Sequence, residues 1–169
     1  MALKDFLSRN KSAILERWFE KVLESYPADT TGFLKQRKKQ FANPVGYTTE
    51  KALEGIFDWL LQDKGFDEVT PHIDDIVRIR AIQDLAPSQA LVFLFHLKGL
   101  IREQIAGEEQ AYSAELRDLD SRIDALSLVS FDIYMKCREK VYELKANEVK
   151  NSTYRLLQMA NLVCEVDEG

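Results

Sequence analysis

Apolar residues recur at intervals of three and four along most of the chain, which is the spacing of amphipathic α-helices. Within residues 3–25 this series predicts a helix with a break near Asn10. Tyr26-Pro27 ends that helix, because the residue before a proline is pushed out of helical geometry. A short helix is predicted over residues 33–41, and no stretch shows the strict alternation that is typical of a strand.

Three later helices have recognisable start signals. Asn43-Pro44 predicts an N-cap followed by proline at the first helical position. Thr70-Pro71 has the same form and predicts a helix over residues 72–83. Pro87-Ser88 predicts the start of the next helix, over residues 89–105, which contains the densest apolar block of the chain.

The chain changes character from Ala114 onward, where a heptad-like series of apolar positions runs without glycine or proline. This seam predicts one long helix that packs along another helix or along its own copy. The seam consists of Leu116, Leu119, Ile123, Leu126, Ser130, Ile133, Cys137, Val141 and Leu144. We therefore expect an all-α fold, a single-domain helical bundle of six to seven helices over residues 1–146. A C-terminal helical extension and an acidic tail are expected over residues 147–169.

Composition narrows the class of protein. A chain of 169 residues, 46% hydrophobic and 30% charged, is typical of one soluble domain with a substantial core. The net charge of −5 argues against nucleic acid as a partner. No apolar run reaches the roughly 20 residues of a membrane-spanning helix, so no membrane insertion is expected. Two cysteines without a metal or disulfide pattern favour a reduced, cytoplasmic setting.

Arg80 is the first candidate for a binding site. At about 100° per residue it falls at the centre of the apolar face that Ile73, Ile76 and Val77 define. A guanidinium in that place needs an acceptor, because an unpaired buried charge is very costly. Three interpretations follow: a structural arginine that bonds a carboxylate or helix-end carbonyls, an anchor for an anionic ligand, or an arginine that is simply exposed to solvent.

His96 is the second candidate, on the flank of its helix beside Phe93. A lone histidine among aromatic residues on a helical scaffold suggests a haem ligand. A packed or surface histidine is the more common outcome, so no cofactor is expected. His72 is expected in a capping turn. The predicted ligand-binding residues are Arg80, His96, Trp18 and Phe93.

Neither catalytic residues nor metal ligands are predicted. The sequence contains no nucleophile elbow, no zinc-protease motif, no phosphate-binding glycine loop and no Cys-x-x-Cys. The basic run Lys35, Arg37, Lys38 and Lys39 has two interpretations, a solvated helix face or a docking surface for an acidic partner.

Several short segments together resemble a known family. They are Ile14-Leu15-Glu16-Arg17-Trp18, Tyr26-Pro27, Phe41-Ala42-Asn43-Pro44-Val45-Gly46, Val77-Arg78-Ile79-Arg80-Ala81-Ile82-Gln83-Asp84 and Pro87-Ser88-Gln89-Ala90-Leu91. In this order and spacing, over about residues 3–145, the chain resembles the N-terminal domain of RsbRD-type bacterial sensor kinases and RsbR-like regulatory proteins. Its motif positions are Trp18, Asn43, Pro44, Pro87 and Ser88.

The resemblance implies an all-helical input module that controls an output domain through its C-terminal helix. The related RsbR proteins have an N-terminal domain similar to a globin that lacks haem, which makes a globin-like bundle the expected topology. The chain departs from the pattern in two ways. No kinase domain follows before Gly169, so a stand-alone module is expected, and Ala86 stands where a Ser or Thr cap is expected.

The predicted function is therefore that of a non-catalytic sensory or regulatory module in signal transduction. A ligand or partner near Arg80 and His96 biases the packing of the helix over residues 114–146. That helix makes a homodimer or a contact with a signalling protein. Two alternatives stay open: a haem- or gas-binding globin relative, through His96, and a purely structural protein–protein interaction module.

Overall fold

The computed structural model describes residues 2–26, 31–32, 43–62, 64–83 and 85–161. Within these ranges it has six α-helices with defined bounds and no strand, which confirms the predicted all-α class. They are α1 (Leu3–Arg9), α2 (Lys11–Leu23), α3 (Pro44–Leu61), α4 (Phe66–Ile82), α5 (Pro87–Gln104) and α6 (Ser113–Met159). The helix predicted over residues 33–41, with its basic run, lies outside the described residues.

The first two helices are separated at Asn10, as the sequence predicts. The backbone N–H and the side-chain amide of Asn10 both donate to the Phe6 carbonyl, at 3.2 and 2.9 Å. This pair of bonds ends α1, and α2 begins at the next residue. The buried residues of α2 are Ile14, Trp18, Phe19, Val22 and Leu23.

The N-cap predicted at Asn43-Pro44 is confirmed. Asn43 is fully buried, and its side-chain oxygen accepts a hydrogen bond from the Gly46 N–H at 2.9 Å. Pro44 occupies the first turn, where its missing N–H costs nothing. The cap fixes where α3 starts and therefore which of its faces packs against α2 and α4.

The helix start predicted at Thr70-Pro71 is wrong. α4 begins at Phe66, after Gly65, and Pro71 lies inside it. Contacts of Trp59 favour the earlier start, because its ring packs 5.1 Å from that of Phe66 and its Nε1 donates to the Gly65 carbonyl. Pro71 removes one bond to the Asp67 carbonyl, and Asp67 lies on the exposed first turn, where water is available.

His72 also differs from its prediction, because it lies within α4 and not in a capping turn. Its ring packs directly over Gly55 of α3. A Cβ added at position 55 would lie 2.5 Å from three atoms of that ring. Glycine at this position therefore allows α3 and α4 to approach closely.

α5 begins at Pro87, as Pro87-Ser88 predicts. Ala86 has no side-chain acceptor, but the Gln89 side chain accepts from the Ala86 N–H at 3.2 Å. That is one of the two bonds of a capping box, made without a Ser or Thr. The fully buried residues of α5 are Ala90, Phe93, Leu94 and Leu97.

α6 is a single helix of 47 residues that continues through the predicted extension as far as Met159. We call its predicted seam from Leu116 to Cys137 the inner seam. The inner seam packs against α4 and α5 of the same chain, so a second copy cannot use it. From Glu139 to Asn161 every residue is exposed except the half-buried Val141.

α4 packs between α3 and α6. α5 packs against both α2 and α6. None of the helices in the described ranges is long and apolar enough to span a bilayer.

Candidate functional site

Arg80 lies at the C-terminal end of α4, where the sequence places it on an apolar face, and it is 1% exposed. Its Nε donates to the Ala90 carbonyl at 2.9 Å and its Nη2 to the Gln89 carbonyl at 2.8 Å. Nη2 also donates to the Ser25 hydroxyl at 2.8 Å. Arg80 therefore ties the end of α4 to the first turn of α5 and to the turn after α2.

The Arg80 charge is not neutralised by these contacts. Its acceptors are two carbonyl oxygens and one hydroxyl oxygen, and the Nη1 nitrogen is buried without a hydrogen-bond partner among the described residues. Burial lowers the pKa of Arg80, and Tyr26 opposes that shift. The rings of Tyr26 and Phe93 lie 5.5 and 5.9 Å from the guanidinium carbon, close enough for a cation–π attraction.

His96 lies in α5 and shares this environment. It is half-buried, and its Nδ1 is the second buried side-chain nitrogen without a partner in the described part of the chain. Burial lowers the pKa of His96, and the positive charges of Lys21 and Arg80 lower it further, whereas Glu24 raises it. The positive charge of Arg80 is thus one of the causes that lower the pKa of His96.

Trp18 and Phe93 pack against each other in the core, and their predicted role as ligand contacts stays a prediction. Trp18 is fully buried, its Nε1 donates to the Phe93 carbonyl at 2.6 Å, and the two rings stack 6.1 Å apart. Both side chains are thus packed in the core. Phe93 lies between Trp18 and the site, because its ring also lies 5.9 Å from the guanidinium carbon of Arg80.

Three further residues belong to the site. Ser25 accepts from Arg80 and donates to the Val22 carbonyl at 2.6 Å, and Tyr26 donates through its hydroxyl to the Gln83 side chain at 2.9 Å. Sequence reasoning treated Tyr26 only as a helix end and overlooked Ser25 and Gln83. Only the nearness of Gln83 to Arg80 along the chain was available as a signal.

The remaining motif positions lie at helix starts. Asn43 and Pro44 start α3 and Pro87 starts α5, while Ser88 is exposed in the first turn of α5. Among the residues described, no group of three His, Cys, Asp or Glu side chains is placed to hold a metal ion.

The haem alternative through His96 stays a prediction. The Nδ1 of His96 is buried without a hydrogen-bond partner among the described residues.

Comparison with known proteins identifies the family of the chain. Residues 12–149 match the family described as RsbT co-antagonist protein rsbRD N-terminal domain. The chain belongs to this family. The match confirms the resemblance drawn from the motif segments, and it places the chain among regulatory domains.

One curated relative is an uncharacterised protein of Archaeoglobus fulgidus. It is 23% identical over 144 residues, which cover 82% of this chain and 84% of the relative. No solved structure gives a significant match to the chain. The predicted globin-like topology therefore stays a prediction.

Proposed function

We propose that this chain is a non-catalytic input module in which a small anionic ligand, or an acidic group of a partner protein, bonds to Arg80 and His96. Binding changes how α6 packs on the end of α4. α6 then passes the change by contact to another protein in the cytoplasm, either a second copy or a signalling partner.

The charge of the site supports an anionic occupant. Arg80 carries a buried positive charge whose described acceptors are all neutral, and an unpaired buried charge is costly. Nη1 of Arg80 and Nδ1 of His96 are the two buried side-chain nitrogens of the described residues that have no hydrogen-bond partner. A carboxylate or phosphate oxygen meets both needs, because charge-assisted bonds to arginine are short and strong.

The observation that carries the proposal is the connection from Arg80 to α6. The residue next to Arg80 is Ala81, whose carbonyl accepts from Nη1 of Arg138 in α6 at 2.9 Å. Tyr134 of α6 donates to the Leu85 carbonyl at 2.5 Å. A shift of Arg80 toward a ligand moves the α4 end to which α6 is bonded, and couplings of about 1–3 kcal/mol are usual for regulation.

Thermal unfolding with inorganic phosphate and with acetate tests the proposal. The wild type should unfold at a higher temperature as either anion is added, by up to about 1.4 kcal/mol of stabilisation at ten times Kd. Arg80→Lys should respond much less, because a lysine does not reproduce the planar fork of donors.

Arg78→Lys is the matched control. Arg78 lies two residues earlier in α4, is exposed and pairs with Asp74 at 2.6 Å, so its variant should keep the wild-type response. Equal responses of all three proteins would place anion binding elsewhere. No response in any of them to these anions or to small molecules released from the native protein would favour a purely structural interaction module.

The proposal includes no cofactor and no catalysis. Haem reconstitution tests the first part. A Soret band that disappears in His96→Ala would replace the present proposal with a haem-binding one.

A further inference from the structure

A hollow of about 280 Å³ lies where α1, the end of α3 and the start of α6 meet. Two thirds of the residues that line it are apolar, and most of these are leucines that also belong to the buried core. The apolar lining residues are Leu3, Leu7, Leu60, Leu61, Ala114 and Leu119. We call this space the leucine hollow.

The size and the lining of the leucine hollow suit a small, mainly apolar molecule. Pockets for drug-sized ligands have about 300–1,000 Å³, whereas a cavity of about 150 Å³ lined by apolar side chains holds benzene. A hollow of about 280 Å³ therefore suits a molecule somewhat larger than benzene. Water lying against leucine side chains lacks hydrogen-bond partners, so an apolar group gains affinity by displacing it.

Two other hollows, both beside α3, differ in their lining. Each is lined by Lys51 and Glu54, which pair with each other at 2.9 Å. Glu54 also pairs with Lys11 at 3.4 Å. These charges already satisfy one another, so the two hollows indicate no particular ligand.

The charges at the leucine hollow favour a cationic ligand. Lys4, Glu115 and Asp118 complete its lining and sum to one negative charge. Glu115 has a structural role, because its Oε1 accepts from the Leu3 N–H at 3.0 Å and it lies in the first turn of α6, where negative charge is favourable. Asp118 lies beyond that turn, is exposed and has no hydrogen bond or ion pair among the described residues. Its carboxylate is therefore available to an incoming positive charge.

We propose that the leucine hollow binds a small organic monoamine, whose apolar body lies on the leucines and whose ammonium group pairs with Asp118. An alkyl ammonium group keeps its charge at neutral pH, as a lysine side chain does. Asp118 follows Ala114 by four residues, so both lie on the same side of α6. The ammonium group therefore pairs beside the first turn of α6, while the apolar body reaches Leu119.

The leucine hollow lies far from the site of the proposed function. Leu61 ends α3 shortly before α4 begins at Phe66, and Arg80 lies about 21 Å further along α4 at 1.5 Å per residue. Arg80→Lys should therefore bind the amine as the wild type does. A failure of either proposal leaves the other in place.

NMR titration of the isotope-labelled full chain with phenethylamine tests the site, with phenethyl alcohol as the neutral analogue and phenylacetate as an anionic one. The amine should shift the amide signals of Leu7, Leu61, Ala114 and Leu119 and leave those around Arg80 unchanged. It should bind about threefold more tightly than the alcohol, because an exposed ion pair contributes only modestly. Phenylacetate should bind more weakly than both, because Glu115 and Asp118 repel it.

Asp118→Asn should remove the preference, so that the amine and the alcohol bind with equal affinity. Asp132→Asn is the matched control, because Asp132 is exposed on the same helix, about 21 Å from residue 118, and its loss changes the net charge by the same amount. This variant should keep the preference of the wild type. Absence of shifts at the four amides, equal affinities of the wild type for amine and alcohol, or a preference that survives in Asp118→Asn would each overturn the proposal.

Discussion

Two buried arginines lie on either side of the C-terminal end of α4, and they differ in what their guanidinium groups contact. Arg80 is 1% exposed and donates to neutral oxygens, and its Nη1 has no hydrogen-bond partner among the described residues. Arg138 is 8% exposed, donates to the Ala81 carbonyl and to the Tyr142 hydroxyl at 2.7 Å, and lies 4.6 Å over the Tyr142 ring. Arg138 thus connects two elements at the edge of the core, whereas Arg80 lies deep within it.

The comparison shows that the depth of burial distinguishes a structural arginine from a candidate binding residue. At the edge of the core a guanidinium keeps access to water, so its charge needs no specific partner. In the centre every N–H must find an acceptor in the protein or in a ligand. The unused Nη1 of Arg80 is for this reason the more informative feature.

The largest effect is expected from Arg80→Ala. The substitution removes three charge-assisted hydrogen bonds and leaves a cavity next to Tyr26 and Phe93, although it also removes a buried charge. We expect the free energy of unfolding to fall by about 3 kcal/mol in urea denaturation. A loss below about 1 kcal/mol would mean that burial of the charge already cancels its bonds.

A smaller effect is expected from Arg138→Ala. Its guanidinium lies nearer to solvent than that of Arg80, so the unfolding free energy should fall by about 1–2 kcal/mol in the same assay. The loss should also be local, with faster amide exchange in α6 and little change in α2. If Arg138→Ala costs more than Arg80→Ala, the distinction between the two arginines is wrong.

The smallest effect concerns pH and His96. Burial keeps the pKa of His96 below its ordinary value of 6.5, so the unfolded chain binds the proton more readily than the folded one. Above pH 6.5 His96 does not lower the free energy of unfolding. Between pH 6.5 and the lower pKa of the folded state, that free energy falls as the pH falls. Below the folded pKa His96 causes no further loss. Lys21, Glu24 and Arg80 also act on the pKa of His96. They are present in both wild type and His96→Gln, so comparing the two proteins isolates the contribution of His96.

Urea denaturation of both proteins between pH 7.5 and pH 5 measures this difference. The wild type should lose more stability than His96→Gln over that interval. Parallel pH profiles would show that His96 is solvated and does not share the Arg80 environment.

Sequence reasoning recovered the elements whose signals are local. Asn43-Pro44 and Pro87 mark helix starts through capping geometry, and the burial of Arg80 follows from the helical period. Thr70-Pro71 misled because a proline is tolerated one turn further into a helix when the carbonyl that it leaves free is exposed. Contacts of Trp59 and Phe66, which a local pattern does not show, decide the true start.

Other features depend on which surfaces the fold brings together. The partner of the inner seam could not be read from its spacing, because α4, α5 and a second copy all offer apolar faces. Ser25 joins Arg80 only through the packing of α2 against α5.

Amide hydrogen exchange of α6 in Arg80→Lys tests most directly whether the Arg80 site is coupled to α6. The account predicts that amides around residues 134–142 exchange about tenfold faster than in wild type, which corresponds to about 1.4 kcal/mol. Arg78→Lys, on the exposed face of the same helix, should leave them unchanged. Unchanged exchange of these amides in Arg80→Lys, with faster exchange confined to α4 and α5, would contradict the coupling.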